Sequence, residues 1–215
     1  MEILDIPPER YNDVIIHLRN NFFPDEPLNA SMRLCNYGEA HELLENHSMN
    51  TLKDGLSVMA VDKSNLKIGG VALNGILRKD DIKTAQENLE QQNDEKFKTI
   101  FRFLYEQNMK INLFEQHSID TIFECRILSV DSDYRGLGIA KKLLKRSLEV
   151  AQKNNFKIFK ADATGLFSQR VNESLGCKTI LEVKYTDYKD KYDNQVFQVS
   201  EPHEYLKIMV KDLSS

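Results

Sequence analysis

Residues 127–146, ILSVDSDYRGLGIAKKLLKR, constrain the fold of this chain more than any other stretch. They begin as an apolar strand, pass an acidic turn, close through Arg135, Gly136, Leu137 and Gly138, and continue as a basic amphipathic helix. A strand that runs through a glycine turn into a helix leaves the first helical N–H groups unpaired. The glycines let the backbone turn tightly and let a ligand approach without side chains in between. Such a terminus suits an anion, phosphate above all. The spacing narrows the ligand: Lys141 stands where a dinucleotide fingerprint needs its third glycine, and no Gly-Lys-Ser/Thr ends the turn as in a nucleotide P-loop. Rossmann and P-loop readings are therefore weak, and on this motif alone a plain strand-to-helix turn with packing glycines stays open.

The remaining chain surrounds this unit with alternating elements. Residues 1–6 are expected as a short strand ended by Pro7 and Pro8, and Tyr11, Val14, Ile15, Leu18 and Phe22 predict an amphipathic helix from residue 9 that stops before Pro24. Asp25 and Glu26 then lie between Pro24 and Pro27. Proline fixes its own φ and restricts the residue before it, so the acidic pair is expected in an extended loop. A helix is expected over 38–50, then strands at 56–62 and 67–77 joined by a hairpin turn at 63–65. Two helices are expected within 80–108, with a break near Asn93 and Asp94, and a short one over 110–117. After the strand at 121–130, the helix of the opening unit runs to about Lys153. A strand at 157–163 and a helix at 166–175 follow, the helix ended by Gly176 in the left-handed conformation suited to glycine. Strands at 178–185 and 204–213 close the chain around a polar loop at 186–202. This order implies one α/β domain over 1–215, a mixed sheet flanked by helices.

Composition trims the functions such a domain can carry. A net charge of −4 argues against nucleic acid as a partner, because phosphate affinity needs a clustered basic surface. The run Lys141, Lys142, Lys145 and Arg146 is a local exception, readable as a solvated helix face or as attraction for a polyanionic cofactor. Cys35, Cys125 and Cys177 are odd in number and scattered, which suggests neither a disulfide framework nor a metal knuckle. His41 and His47 are six apart, off one helical face, and form no His-Glu-x-x-His, so no metal is expected. No apolar run approaches the ~20 residues of a membrane span and the N-terminus lacks a signal-peptide pattern, so a cytoplasmic protein without a membrane partner is expected.

Four separate stretches carry a family resemblance. Arg135, Gly138 and Ala140 match the Arg/Gln-x-x-Gly-x-Gly/Ala pyrophosphate loop of the GNAT family of N-acetyltransferases. Ser168 to Gly176 resembles the helix that family places beside the pantetheine arm, with Cys177 where an aromatic residue is usual. Phe22, Phe23, Asp25, Glu26, Pro27 and Leu28 resemble the first-helix signature of the insect arylalkylamine N-acetyltransferases. Tyr188, Val196, Phe197, Pro202 and His203 follow the C-terminal pattern of that subfamily, in the same order along the chain. The resemblance implies the GNAT fold, with a mostly antiparallel central sheet, and transfer of acetyl from acetyl-CoA to a primary amine in a monomer without metal. It implies Glu26 as general base, Ser168 in proton handling, and Thr164 where a second serine usually stands. It further implies that Arg135, Gly136, Leu137, Gly138, Ile139 and Ala140 hold the pyrophosphate and that Leu128, Ser129 and Val130 hold the pantetheine.

These residue types suit that chemistry on their own terms. An alkylamine is protonated at neutral pH and attacks a thioester only after a base has taken its proton. A carboxylate flanked by Phe22, Phe23 and Leu28 can be raised in pKa by burial, and the like charge of Asp25 acts in the same direction. A backbone N–H near Ser129 or Val130 is the expected donor to the developing oxyanion, and Asp131, Ser132 and Asp133 read as a turn and cap cluster. Tyr185 and Tyr188 read as strand packing or as lining of the amine pocket, and the helices of 80–117 as its wall or lid. Other amines such as agmatine or polyamines, a longer acyl group, a binding module without turnover and a purely structural domain remain as alternatives.

Overall fold

The structure, a computed structural model, describes residues 1–214. Seven strands form one sheet in the order β1-β2-β3-β4-β5-β7-β6. These are β1 (Glu2–Asp5), β2 (Val58–Val61), β3 (Ile68–Arg78), β4 (Thr121–Val130), β5 (Ile158–Ala163), β6 (Lys178–Lys184) and β7 (Tyr205–Asp212). Only β4 and β5 pair in parallel; every other neighbour pair is antiparallel. The central strands alternate faces with the period of two that a strand imposes. Met59, Val61, Val71 and Leu73 enter one core, while Val58, Ala60, Ala72 and Phe123 enter the other.

Eight α-helices cover the two faces among the described residues: α1 (Tyr11–Asn21), α2 (Pro27–Met32), α3 (Glu42–Leu52), α4 (Asp81–Leu89), α5 (Glu95–Asn108), α6 (Leu113–His117), α7 (Ile139–Lys153) and α8 (Leu166–Ser174). α1, α3 and α5 supply Val14, Leu18, Leu44, Leu52, Ile100 and Phe103 to the first core, and α7 supplies Leu143, Leu144 and Ala151 to the second. The basic residues of α7 stay on its outer side, with Lys141, Lys142 and Lys145 exposed and Arg146 half-buried, so the solvated-face reading holds for them. No helix among the described residues is long and apolar enough to cross a membrane.

One expectation holds in part. Glu26 has the extended backbone expected before a proline, φ −61° and ψ 129°, but the acidic pair lies in a turn that leads into a helix, with Glu26 the N-cap of α2 and Pro27 its first residue. Proline at that position loses no helical hydrogen bond, because the first N–H groups of a helix have no partner inside it.

The sheet parts along its middle. β4 and β5 pair only from Phe123–Phe159 to Cys125–Ala161, although β4 runs on to Val130 and β5 to Ala163. Beyond Cys125 the β5-facing side of β4 has no strand partner, while its other edge stays paired with β3 as far as Gly70–Val130. β5 finds its other neighbour in β7, so the gap is held open by pairing on both outer sides.

Candidate active site

A cavity of about 440 Å³ opens at this gap. β4 contributes Glu124 to Leu128, β5 and the residue after it contribute Ala161 to Thr164, and α8 contributes Ser168 and Asn172. The opposite wall is apolar, from Phe22, Phe23, Ile100, Phe101, Leu104 and Tyr105. The helices of 81–108 therefore form a wall of the cavity, as one of their two readings held.

Glu26 reaches this cavity from the α2 N-cap, and it is 9% exposed. One carboxylate oxygen accepts the Asn29 N–H at 2.7 Å; the other, Oε1, is buried without a hydrogen-bond partner. Burial raises its pKa above the usual carboxylate value, and the Asn29 N–H, the Thr164 hydroxyl and the Leu28 N–H pull it partly back. Thr164 acts here by proximity, since no close hydrogen bond joins its hydroxyl to the carboxylate. Asp25, expected to raise Glu26 by like charge, is not among the causes. It turns outward and binds Arg135 at 2.7 Å and the Tyr37 hydroxyl.

Ser168 lines the same cavity, and its hydroxyl donates to the Gly165 carbonyl at 2.8 Å. It is therefore no N-cap; the cap position is Gly165, without a side-chain bond. The α8 N-terminus is bound instead by His203, whose Nδ1 accepts the Leu166 N–H at 3.0 Å. Asn172, one helical turn after Ser168, leaves its Oδ1 buried and unpartnered beside the cavity. Tyr185 packs in the core and donates its hydroxyl to the Thr164 carbonyl at 2.7 Å, and Tyr188 donates to Glu106 at 3.0 Å. Neither lines the cavity, so packing is the reading that holds for both.

At the end of β4, Asp131 caps a 3-10 turn over Ser132–Tyr134 and pairs with Lys67, as a turn and cap residue should. Gly136 and Gly138 both adopt positive φ, 78° and 70°, and a Cβ on either would meet nothing within 4 Å. Gly138 is the N-cap of α7, which has no side-chain cap and no acidic residue in its first turn. Its opening N–H groups are thus free to receive an anion, and the residues present fit a pyrophosphate. Arg135 flanks the turn, and Leu128, Ser129 and Val130 lead into it along the unpaired side of β4. Of the sequence-predicted residues, Glu26, Leu128, Thr164 and Ser168 line the cavity, whereas Ser129, Val130 and the turn from Arg135 to Ala140 do not; the turn is tied to the Glu26 segment by the Arg135–Asp25 ion pair.

Sequence reading missed a buried charge group in the cavity wall. Lys160, 1% exposed, bonds Glu124 and Asp162 at 2.6 Å each, and Arg126 bonds Glu124 at 2.9 Å. The two cations hold the Glu124 pKa down to about 2 against the effect of burial. The residues involved alternate at i, i+2 on two strands, a signal legible only once β4 and β5 are known to be neighbours.

Comparison with known proteins decides the family. The model of the acetyltransferase (GNAT) family matches residues 113–176. The crystal structure of arylalkylamine N-acetyltransferase 2 from Aedes aegypti is 53% identical, covers 98% of both chains, and superposes with a TM-score of 0.95. The chain belongs to the GNAT acetyltransferases. Its likeness to this GNAT relative runs through nearly the whole chain, whereas one other relative matches a shorter stretch and another matches at lower identity. N-acetylaspartate synthetase of Xenopus tropicalis is 38% identical over 68 residues, 31% of this chain and 25% of that protein, so the chain matches about a quarter of that relative's length. The polyamine N-acetyltransferase of Drosophila melanogaster, described as forming N-acetylagmatine, covers 99% of both chains with a TM-score of 0.86 at 18% identity, and shares the fold.

Proposed function

We propose that this GNAT acetyltransferase transfers acetyl from acetyl-CoA to the primary amine of an arylalkylamine by direct attack, with Glu26 as general base. The observation that carries the reading is the buried Glu26 carboxylate, one oxygen unpartnered, at the wall of an aromatic cavity that opens between β4 and β5. The 53% identical relative named as an arylalkylamine N-acetyltransferase supports the amine class.

The ammonium of the substrate is drawn to Glu26 and donates its proton there; a carboxylate raised by burial accepts that proton near neutral pH better than an exposed one. The free amine attacks the thioester carbonyl: the N–C bond forms, and a backbone N–H near Ser129 or Val130 stabilises the oxyanion. Collapse breaks the C–S bond; the attacking nitrogen gives up its second proton and the departing thiolate takes one, a transfer that the Ser168 hydroxyl can relay by donating to sulfur and accepting from nitrogen, with Thr164 a positioning group. Leu128, Ser129 and Val130 would hold the pantetheine. Arg135, Gly136, Leu137, Gly138, Ile139 and Ala140 would hold the pyrophosphate at the α7 N-terminus.

The test is release of free CoA with tyramine, dopamine, serotonin and tryptamine, set beside agmatine, spermidine and a lysine peptide. Turnover of the aromatic amines above the others is expected. Absence of turnover with every amine overturns the enzymatic reading, and preference for agmatine or spermidine overturns the substrate class.

A further inference from the structure

We propose that His47 reads the ring end of the amine, its neutral imidazole forming a hydrogen bond with the hydroxyl of a phenolic arylalkylamine. This rests on the arylalkylamine reading above and adds a residue to it. His47 projects from α3 into the cavity wall and packs edge-on against Phe101, ring centroids 5.4 Å apart at 65°. Its backbone carbonyl accepts the Thr51 hydroxyl at 3.0 Å, while neither ring nitrogen forms a hydrogen bond among the described residues or belongs to the sealed polar atoms of the interior. The side chain is half-buried and lines the cavity. Burial and the Arg126 charge lower the pKa to about 4, so at neutral pH one nitrogen donates and the other accepts. A hydroxyl group can satisfy either.

The surroundings favour a neutral polar group over a second cation. Glu124 is already bound by Lys160 and Arg126, and Asp162 by Lys160 and the Asn108 amide at 2.6 Å. Asp81, a further acid of the lining, faces the Arg126 charge. A guanidinium or ammonium tail would find these carboxylates engaged. The distance is also suitable. Lys160 and Asp162 stand four and two residues before Thr164, the neighbour of Glu26, which along a strand is roughly 7–13 Å. An aromatic ring on a two-carbon tail spans that range, with its amine at Glu26 and its hydroxyl toward the charge group that His47 faces.

The test compares kcat/KM for tyramine and phenethylamine, which differ by the ring hydroxyl alone, in the wild type, His47→Phe and His47→Gln. The wild type is expected to prefer tyramine about fivefold, the worth of one neutral hydrogen bond. His47→Phe keeps a ring against Phe101 and should bring the ratio to about one, and His47→Gln should restore a preference. A merely structural role would lower both substrates alike and leave the ratio unchanged, which overturns the inference. A wild-type ratio near one overturns it without any variant. Absence of turnover with all amines overturns the acyl-transfer reading and this inference with it.

Discussion

Glu26 joins a structural task to the chemical one proposed for it. As N-cap it accepts the Asn29 N–H, and as a buried carboxylate it leaves Oε1 without a hydrogen-bond partner. Its pKa is raised chiefly by burial, so its proton favours the folded state below the ordinary value of 4.5, and that contribution is lost as pH rises through the elevated folded pKa. Above that elevated pKa the native state carries a destabilising charge. Glu26→Gln keeps a cap acceptor and removes that charge. It should raise the melting temperature at pH 8 relative to pH 4 while lowering kcat by roughly 10²–10⁴-fold and removing the acidic limb of the rate profile. Calorimetry and initial rates check the two halves, and an unchanged rate would remove Glu26 as base. Glu26→Ala should in addition lose about 1 kcal/mol of stability with the cap, read from denaturant unfolding. The burial of this residue was legible in the sequence from Phe22, Phe23 and Leu28 beside it, and its proposed role from the family resemblance. The outward turn of Asp25 was not, because its partners Arg135 and Tyr37 are distant in the chain.

α7 shows how an element fixes a site. Its N-terminus is shaped by Gly138 at φ 70°, and its packing on the sheet by Gly70, where an added Cβ would stand 2.9 Å from the Ser129 carbonyl and 3.1 Å from Leu143. The two glycines predict different failures. Gly138→Ala meets no atom and should cost about 1–2 kcal/mol from the left-handed backbone alone. Gly70→Ala must displace α7 or β4 and should cost about 1–3 kcal/mol and also raise the KM for acetyl-CoA, since it presses on the carbonyl of Ser129. Denaturant unfolding and acetyl-CoA titration separate the two. Arg135→Gln should weaken acetyl-CoA binding about tenfold by calorimetry, with the loss shrinking in high salt, as expected for a charge-assisted contact to phosphate. Strand, turn and helix were readable here because local spacing sets all three. α2 was not, because proline at a first helical position and proline in a loop look alike in sequence.

Across the whole molecule, the middle of the sheet is tied by charge as well as by backbone. Lys160 on β5 holds Glu124 of β4 and Asp162, with almost no exposure to water. Removing one partner of a buried group leaves the others uncompensated, so Lys160→Met should cost about 3–5 kcal/mol and lower the melting temperature by roughly 10 °C. Glu124 is depressed to about 2, so its contribution is present above the ordinary 4.5 and is lost as pH falls from there toward 2. Acid unfolding of the wild type should be steep in that window, and Glu124→Gln should flatten it; equal profiles would remove Glu124 as the cause.

The sequence by itself determined most of the elements, the glycine turn and the family, because periodicity and glycine spacing are local and the matching motifs lie in order along the chain. Only the tertiary structure decided what faces what. The parting of β4 from β5 depends on strand pairing between distant segments, and it is that gap which brings Glu26, Thr164 and Ser168 to one cavity. Burial then sets the protonation of Glu26 and His47, and burial is a property of the packed molecule that no local pattern contains.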